Sequence, residues 1–285
     1  MNTISVDQNK SDMLMVQRCA RYFFNAAEIF NYIDWALSVA VIILFNISVV
    51  KERTGSVGLL ITIIIDLLIL GLCYLSDNCT KISASCRQYF DYKLFKFEEQ
   101  NLYGKYTESE IMLIAAKIKN FNKKSYEAQV NNSGTNSVKG VKDWYIGIDE
   151  SLSHENAVRE CQAQNLKFDN MLINGAFVIF IITLILGIII FTGFNCNNTL
   201  AEILTIIYPY SPLFIKLVPS INKLVKLHDY KIRCKEHFDG VHTSIKDRQA
   251  LIDERRNLGF IVPNALYQKC SPCIHKIIED SQVSR

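Results

Sequence analysis

The sequence is poor in charge, in proline and in glycine. Only 21% of its 285 residues are charged, against 49% that are hydrophobic, and it has 12 glycines and 5 prolines. A disordered chain needs low hydrophobicity with high charge, and collagen-like or linker-dominated chains are rich in glycine and proline. The composition therefore excludes these classes. The formal net charge of +3 is too small to indicate binding to a nucleic acid polymer.

The sequence motifs of common catalytic sites are also missing. There is no GxxxxGK[ST] phosphate-binding loop, no HExxH zinc motif, no GxSxG nucleophile motif and no GxGxxG followed by a fitting acidic residue. The five histidines are scattered singly along the chain. We therefore predict no catalytic residue, no cofactor and no enzyme activity.

One short stretch, "CSPCIH", resembles a metal or redox site. It contains Cys270, Cys273 and His275. A structural zinc ion takes four ligands, usually from two such pairs, and the sequence has no second CxxC. We interpret the stretch as cysteines in a turn of the tail and predict no metal site, with a metal or redox role as the alternative.

The sequence does contain four long apolar blocks, at residues 35–50, 57–75, 171–194 and 200–218. An α-helix rises ~1.5 Å per residue and needs about 20 residues to cross ~30 Å of hydrocarbon. The second and third blocks are apolar on every face, which disfavours the alternative of buried core helices in a soluble protein. We predict an all-α integral membrane protein with four transmembrane helices in two hairpins.

The fourth block is the least regular of these blocks. Pro209 and Pro212 interrupt it, and we expect them to kink the helix. Lys216 lies near the end of the block. We expect its ammonium group to extend to the cytoplasmic headgroups, as long basic side chains do at the ends of membrane helices.

The blocks divide the chain into five parts. We predict a cytoplasmic amphipathic helix at 1–32, transmembrane hairpin 1 at 33–75, a cytoplasmic helical insert at 76–170, transmembrane hairpin 2 at 171–218 and a cytoplasmic tail at 219–285. Twelve Lys and Arg residues lie near the helix ends on the side of the termini and the insert, whereas the short loops 51–56 and 195–199 carry two. The positive-inside rule then places both termini in the cytoplasm. Seven of the nine cysteines face the same reducing side.

The insert contains several helix signals. The second apolar helix is expected to continue through "SCRQYFDYKLFKF", and a helix from about residue 153 is expected to run into the third block. Thr107 and Glu110 have the spacing of a capping box at the start of a further helix. The polar stretch "NNSGTNSVKG" is typical of an exposed loop.

The tail carries a heptad-like pattern between residues 224 and 252. Spacings of three and four are typical of one long helix that packs lengthwise on another helix. The residues that we assign to this oligomerisation seam are Leu224, Leu227, Phe238, Val241, Ile245 and Ile252. Its partner is either a second copy of the chain, which gives a homo-oligomer, or the insert helices of the same copy, and the pattern leaves both open.

Asp66 lies at the midpoint of the second apolar block. A carboxylate at the centre of a bilayer is costly and usually faces a cavity or a partner. Asp66 therefore either lines or gates an ion path, or packs as a hydrogen-bonded residue between helices. Asn46, Thr62 and Asn174 are weaker pore-lining or gating candidates, for which ordinary helix packing is the favoured interpretation.

Basic and aromatic residues alternate directly after the second block. Arg87, Tyr89, Tyr92 and Lys93 have the chemistry to stack bases and to pair with phosphates, so they are candidates for nucleotide binding. The alternative, a membrane-proximal helix with aromatic residues at the interface, is the more common use of such a stretch.

The order of these features resembles the SMODS-associated four-transmembrane effector family of bacterial anti-phage signalling. Four stretches between residues 1 and 260 are similar to that family. They contain Gln8, Asn9, Arg18, Tyr22 and Ala26, then Gln88, Phe90, Asp91 and Leu94, then Asp143, Trp144 and Tyr145, and finally Cys161, Gln162, Asn165, Asp169 and Leu172. The segment "KFEEQN" departs from the family, where an apolar turn with proline and tryptophan is expected.

The resemblance implies a pore-forming effector in the bacterial inner membrane. Such a protein acts beside a nucleotidyltransferase that makes a cyclic oligonucleotide upon infection. The oligonucleotide, or a companion sensor protein, triggers assembly or opening, and depolarisation kills the infected cell. The alternatives are a non-conducting scaffold or receptor that recruits a partner through its cytoplasmic helices and, less favoured, a membrane-anchored enzyme.

Overall fold

Long helices account for most of the protein. The computed structural model describes residues 1–46, 48–195, 210–239 and 243–283. The helices in these ranges are α1 Ile4–Asp7, α2 Ser11–Asn46, α3 Ser48–Leu94, α4 Glu108–Phe121, α5 Lys123–Val130, α6 His154–Asn195, α7 Ser211–Asp239, α8 Ile245–Asn257 and α9 Asn264–Val283. The described part of the chain has two isolated β-bridges and no strand, which confirms the all-α prediction.

Three helical segments are long and apolar enough to cross a membrane: Ser11–Leu44, Leu60–Leu94 and His154–Ile189. Large apolar side chains on these segments are exposed, including Leu67 at 64% and Ile189 at 58%. Such a belt is stable only when lipid or another apolar surface covers it. The protein is therefore a membrane protein. The fourth predicted span lies partly outside the described residues, because the structure resumes at Tyr210.

The first two membrane helices form a long antiparallel pair that continues out of the membrane. Cys19 Sγ lies 3.7 Å from Cys86 Sγ, and Ser76 Oγ donates to the Ala27 carbonyl at 3.0 Å. With 47 residues, α3 is ~70 Å long, more than twice the ~30 Å of hydrocarbon. The continuation of the second apolar helix beyond the membrane is thus confirmed, as is the helix that leads from His154 into the third block.

The polar run at residues 51–56 is helical, so the prediction of a loop there is wrong. The run is "KERTGS", and Lys, Glu and Arg are strong helix formers. Polarity alone therefore does not end this helix, and the structure assigns helix from Ser48 onward.

The parts of α2, α3 and α6 that lie outside the predicted membrane spans pack with α4 into one apolar core. Phe90, Leu94, Ile111 and Val158 are buried in it. The predicted capping box begins α4, where Thr107 Oγ1 accepts from the backbone N–H of Glu110 at 3.3 Å. The Glu110 carboxylate in turn accepts from the backbone N–H of Thr107 at 2.8 Å.

The tail is not one long helix, which corrects the prediction for residues 224–252. Helix α7 ends at Asp239, and α8 begins at Ile245 after the N-cap Ser244, whose hydroxyl accepts from the Asp247 N–H at 3.1 Å. Cys270, Cys273 and His275 lie inside α9, so the predicted turn at "CSPCIH" is wrong as well.

The predicted seam packs mostly within one copy of the chain. Leu227 is buried in a cluster with Ile173 of α6 and Leu251 of α8, and Ile245 packs against the apolar core described above. Leu224 and Ile252 are also buried, Phe238 is half-buried, and Val241 lies outside the described residues. Of the two partners left open above, the structure shows contacts with the same chain.

Candidate functional site

Three polar side chains meet near the predicted cytoplasmic ends of the membrane helices. Lys216 of α7 forms an ion pair with Asp34 of α2, and the Cys73 thiol of α3 donates to the same Asp34 carboxylate oxygen at 3.1 Å. The Lys216 side chain is 9% exposed and that of Asp34 is 1% exposed. The expectation that Lys216 extends to the headgroups is therefore wrong. A buried carboxylate within reach compensates part of the cost of burying the ammonium group.

A second polar contact lies deeper along the same helices. Ser211 Oγ of α7 donates to Asp66 Oδ2 of α3 at 2.8 Å. Thr62, one turn from Asp66, is buried and donates to the Gly58 carbonyl at 3.0 Å. Seven residues separate Asp66 from Cys73, which is ~10 Å along the helix. The two levels together form a polar column between α2, α3 and α7, which contains Asp34, Thr62, Asp66, Cys73, Ser211 and Lys216.

The polar column contains carboxylate oxygens that lack a donor. Asp34 Oδ1 and Asp66 Oδ1 are both buried without a hydrogen-bond partner in the described part of the chain. Buried polar groups are normally paired, and unpaired ones often belong to functional sites. Carboxylate oxygens are negatively charged, so inside a bundle of membrane helices they are suited to contact a cation.

The structure unites two of the predicted pore candidates and separates a third. Thr62 and Asp66 lie one helical turn apart in the polar column, whereas Asn174 is exposed on α6 and accepts from Lys231 Nζ at 2.8 Å. The side chain of Asn46 lies outside what the structure describes. Sequence reasoning missed Asp34, although it lies inside the predicted hairpin 33–75, because it directly precedes the first apolar block.

A cavity of about 160 Å³ lies in the part of the protein that is predicted to be cytoplasmic. Its wall is formed by α2, α3, residues 134–145, α6, α8, α9 and Val262 in the connection between the last two helices. The side chains used below are Gln17, Arg21, Phe24, Arg87, Trp144, Tyr145, Phe168, Asp169, Arg255, Arg256, Tyr267 and His275. The guanidinium of Arg87 lies 5.5 Å from the ring centres of both Phe24 and Trp144.

Burial and mutual repulsion raise the energy of the positive charges in this cavity. Burial, together with the positive charges of Arg256 and Arg255, lowers the pKa of Arg87 to about 10. Burial also lowers the pKa of Arg21, whose Nη1 donates to the Gly140 carbonyl at 2.8 Å. Both residues stay protonated near neutral pH, so the cavity presents buried positive charge.

A hydrogen-bond network centred on Asp91 forms the wall behind the cavity. The Asp91 carboxylate accepts from Arg256 Nη1 at 2.7 Å, from the Tyr145 hydroxyl at 2.7 Å and from Gln249 Nε2 at 3.0 Å. Asp253 lies next to it, 3.3 Å from Arg256 Nη1, and burial raises the pKa of Asp253 to about 7. The Asp91 network thus joins α3, α8 and the segment before α6.

The four stretches that carry the family resemblance meet around this network. Gln8 accepts from the Tyr145 N–H at 2.8 Å and donates to the Tyr145 carbonyl at 3.0 Å. Asn9 Nδ2 donates to Asp143 Oδ1 at 2.7 Å, and Asn165 Nδ2 donates to the Tyr145 hydroxyl at 2.9 Å. Residues far apart in the sequence therefore build one local structure next to the cavity.

The four candidates for nucleotide binding do not share one face of α3. Arg87 lines the cavity, whereas Lys93 pairs with Glu108 at 3.1 Å and with Glu99 at 2.8 Å. The Tyr89 hydroxyl donates to Glu108 at 2.9 Å, and Tyr92 packs edge-to-face on Phe97 and Tyr103. Successive residues of a helix point ~100° apart, so Arg87 and Lys93 point in different directions.

The cysteine-containing stretch of the tail does not gather metal ligands. His275 lines the cavity and packs edge-to-face on Phe168 at 5.1 Å, while Cys273 is exposed. Across the described residues, no group of three or more His, Cys, Asp or Glu side chains is placed to hold a metal ion.

Comparison with known proteins gives one match. A family model described as the SMODS-associating 4TM effector domain matches residues 2–269, nearly the whole chain. Comparisons with curated proteins and with solved structures give no match.

Proposed function

Because the chain belongs to the SMODS-associating 4TM effector family, we propose that it is a pore-forming effector of a bacterial anti-phage system. It is a multi-pass protein of the inner membrane, crosses the membrane four times and keeps both termini in the cytoplasm. A cytoplasmic signal from the associated nucleotidyltransferase opens an ion path, and the loss of membrane potential kills the infected cell.

The polar column is the observation that carries this proposal. Charged residues inside membrane helices are costly and mark ion pathways, gates or counter-ions. In the closed state, the Lys216 ammonium neutralises Asp34 and holds α7 against α2. Opening separates this pair, so that water and cations reach the carboxylates of Asp34 and Asp66. A path lined by carboxylates favours cations over anions.

The proposal includes coupling between the cytoplasmic part and the polar column. Helix α7 carries Lys216 and, two turns later, Lys223, whose Nζ lies 2.8 Å from Asp77 and donates to the Gly259 carbonyl at 3.3 Å. Gly259 lies between α8 and α9. A shift of these two helices in the cytoplasm is therefore transmitted to α7 and from there to the ion pair.

The proposal also includes self-association, because a ring of copies surrounds one path with several carboxylates. Leu227 and Ile252 of the predicted seam are buried within one copy, so we propose that copies meet through other surfaces. The exposed apolar residues of α6 between 177 and 189 are the candidates for such a contact.

Membrane potential in cells tests the pore. The chain is expressed with its neighbouring nucleotidyltransferase, the enzyme is triggered, and a potential-sensitive dye is followed in the parent and in Asp66→Leu. We expect depolarisation in the parent and at least a tenfold slower response in the variant. The lipid-facing control Leu67→Met should behave like the parent.

An unchanged potential in the triggered parent contradicts the pore. Full depolarisation in Asp66→Leu contradicts the role of Asp66 but leaves the pore itself in place. Ion flux in liposomes containing the purified chain separates the pore from the alternative, a non-conducting scaffold or receptor, for which no flux is expected under any stimulus.

A further inference from the structure

We propose that the cytoplasmic cavity is a nucleotide-binding site, which takes a cyclic oligonucleotide with one phosphate against Arg21 and Arg87 and one base against Trp144. The cavity chemistry supports a nucleotide by itself; only the cyclic form rests on the function proposed above. The chain is then itself the receptor for the second messenger, and no companion sensor is needed.

The charge of the cavity favours an anion. Five basic side chains and two carboxylates line it, which leaves an excess of three positive charges with histidine neutral. Arg256 is neutralised by Asp91 at 2.7 Å, and Arg255 lies 3.3 Å from Asp169. Arg21 and Arg87 have no ion pair with any described residue. Both residues line the same cavity, so both are available to an anionic ligand bound in it.

The unpaired hydrogen-bonding groups point to the same class of ligand. Gln17 Nε2, Arg87 Nε and Arg255 Nε are buried, belong to residues that line the cavity, and have no hydrogen-bond partner in the described part of the chain. All three are donors. A ligand rich in acceptor oxygens, such as a phosphodiester, satisfies them, whereas a cationic or apolar ligand leaves them unpaired.

The aromatic residues of the cavity fit a base. Phe24, Trp144 and Tyr267 line it together with the guanidinium of Arg87, which lies 5.5 Å from two of these rings. Stacking on such rings and on a guanidinium plane is the sequence-tolerant way in which proteins hold bases. The cavity is partly open and has room for on the order of ten waters, enough for one phosphate with part of a ring, while the rest of a larger ligand extends outward.

The position of the cavity favours a soluble ligand over a lipid headgroup. Arg87 lies twelve residues beyond the predicted end of the second span, and Arg21 lies twelve residues before the predicted start of the first. Both helices are continuous at these points, so each residue is ~18 Å from the hydrocarbon boundary. A phosphate held by both residues therefore lies in the aqueous phase, beyond the layer of lipid headgroups.

Tryptophan fluorescence gives a direct test, because the chain has two tryptophans and one of them, Trp144, lines the cavity. The full-length chain with Trp35→Phe is purified in nanodiscs and titrated with cyclic di-AMP, cyclic di-GMP, cyclic GMP–AMP, cyclic UMP–AMP, cyclic di-UMP and cyclic tri-AMP. Inorganic phosphate is titrated in parallel. We expect saturable quenching by at least one cyclic oligonucleotide.

Variants from two helices show whether the cavity is responsible. Arg21→Met and Arg87→Met should each weaken the binding at least tenfold, and Arg87→Lys, which keeps the charge, should restore part of it. Lys117→Met, on an exposed position of α4, is the control and should bind like the parent. If one arginine variant fails to fold, the other on its separate helix still gives the result.

Three outcomes overturn the proposal: no quenching by any of the six cyclic probes, equal quenching by inorganic phosphate alone, or a signal that depends on phosphatidylglycerol in the nanodisc rather than on nucleotide. Liposome flux, measured separately, distinguishes this failure from failure of the pore. Binding without flux supports the nucleotide site and contradicts the pore. Triggered flux without binding supports the pore and contradicts the nucleotide site.

Discussion

The protein buries charge in two places, and the two clusters are built differently. In the polar column, Lys216 meets one carboxylate and one thiol, and Asp34 keeps one oxygen without a partner among the described residues. In the part predicted to be cytoplasmic, Asp91 accepts hydrogen bonds from three side chains on two different segments, and Arg256 also lies 3.3 Å from Asp253.

This difference separates a structural network from a contact that can break. Several side chains would have to move together before the Asp91 network opened, because its members are cross-linked through Arg256, Gln249 and Tyr145. The Lys216–Asp34 pair is a single ion pair between α7 and α2, and in the mechanism proposed above it separates when α7 shifts. Bistable elements of this second kind are what conformational switches use.

The largest expected effect comes from Asp91→Leu. The substitution leaves Arg256 buried beside Asp253 alone, and removing one partner of a buried pair costs about 3–5 kcal/mol of unfolding free energy. Denaturant unfolding of the detergent-solubilised chain measures it. Glu254→Ala, which removes a surface pair with Arg233 at 2.8 Å, is the control and should cost no more than about 1 kcal/mol. Equal losses in the two variants would contradict the comparison.

Lys216→Met tests the separable contact. It leaves Asp34 unpaired, which favours a state in which that carboxylate is hydrated. We expect ion flux from untriggered liposomes to rise about tenfold, equivalent to a shift of ~1.4 kcal/mol in the opening equilibrium. The double variant Asp34→Leu with Lys216→Met removes both charges and should return the flux towards the parent level. If the untriggered flux of Lys216→Met stays at the parent level, the ion pair does not hold the path closed.

The sequence predicts three of the four proposed membrane helices well, because length and apolarity identify them. It also predicts the helical continuations through Leu94 and from His154. The capping box at Thr107 correctly predicts the start of α4. The signal that reveals the break in the tail is the spacing of Ser244 and Asp247, which is that of a helix cap and which the heptad pattern of the surrounding apolar residues ignores. Propensity outweighed polarity at residues 51–56, where strong helix formers continue the helix.

The candidate sites were only half visible in the sequence. Asp66 is conspicuous because its neighbours are apolar, yet its hydrogen bond to Ser211 spans 145 residues and no spacing reveals it. The cavity is harder still, since its walls range from Gln17 to His275. Arg87 was singled out for its aromatic neighbours in sequence, but the rings that it approaches in space are those of Phe24 and Trp144.

The pH dependence of the unfolding free energy tests the Asp91 network through its neighbour Asp253. Burial raises its folded-state pKa to about 7 from an ordinary value near 3.8, so the folded protein holds a proton that the unfolded chain has released. Stability therefore falls as pH rises between these values, by up to ~1.4 kcal/mol per pH unit, and levels off above pH 7. Unfolding of the solubilised parent at pH 5.5, 6.5 and 7.5 measures the slope.

Asp253→Asn cannot titrate, so its unfolding free energy should lack this component, and the difference between the two chains isolates Asp253 from the histidines. A parallel pH dependence in parent and variant would show that Asp253 is ionised throughout, held by Arg256. The control Asp247→Asn removes a carboxylate of the same helix and should keep the parent slope.

The smallest effect concerns the start of α8, the helix that carries Gln249, Asp253 and Arg256 into the Asp91 network. Ser244→Ala removes the acceptor for the Asp247 N–H, which should cost about 1 kcal/mol. Since the Asp91 network holds the middle and end of α8, the loss should stay within its first turn, where hydrogen exchange of residues 245–248 accelerates about fivefold. Ser244→Asn keeps an acceptor and should exchange like the parent. Faster exchange at Arg256 in Ser244→Ala would mean that the network depends on the cap, and the cytoplasmic cluster would then be no more rigid than the membrane pair.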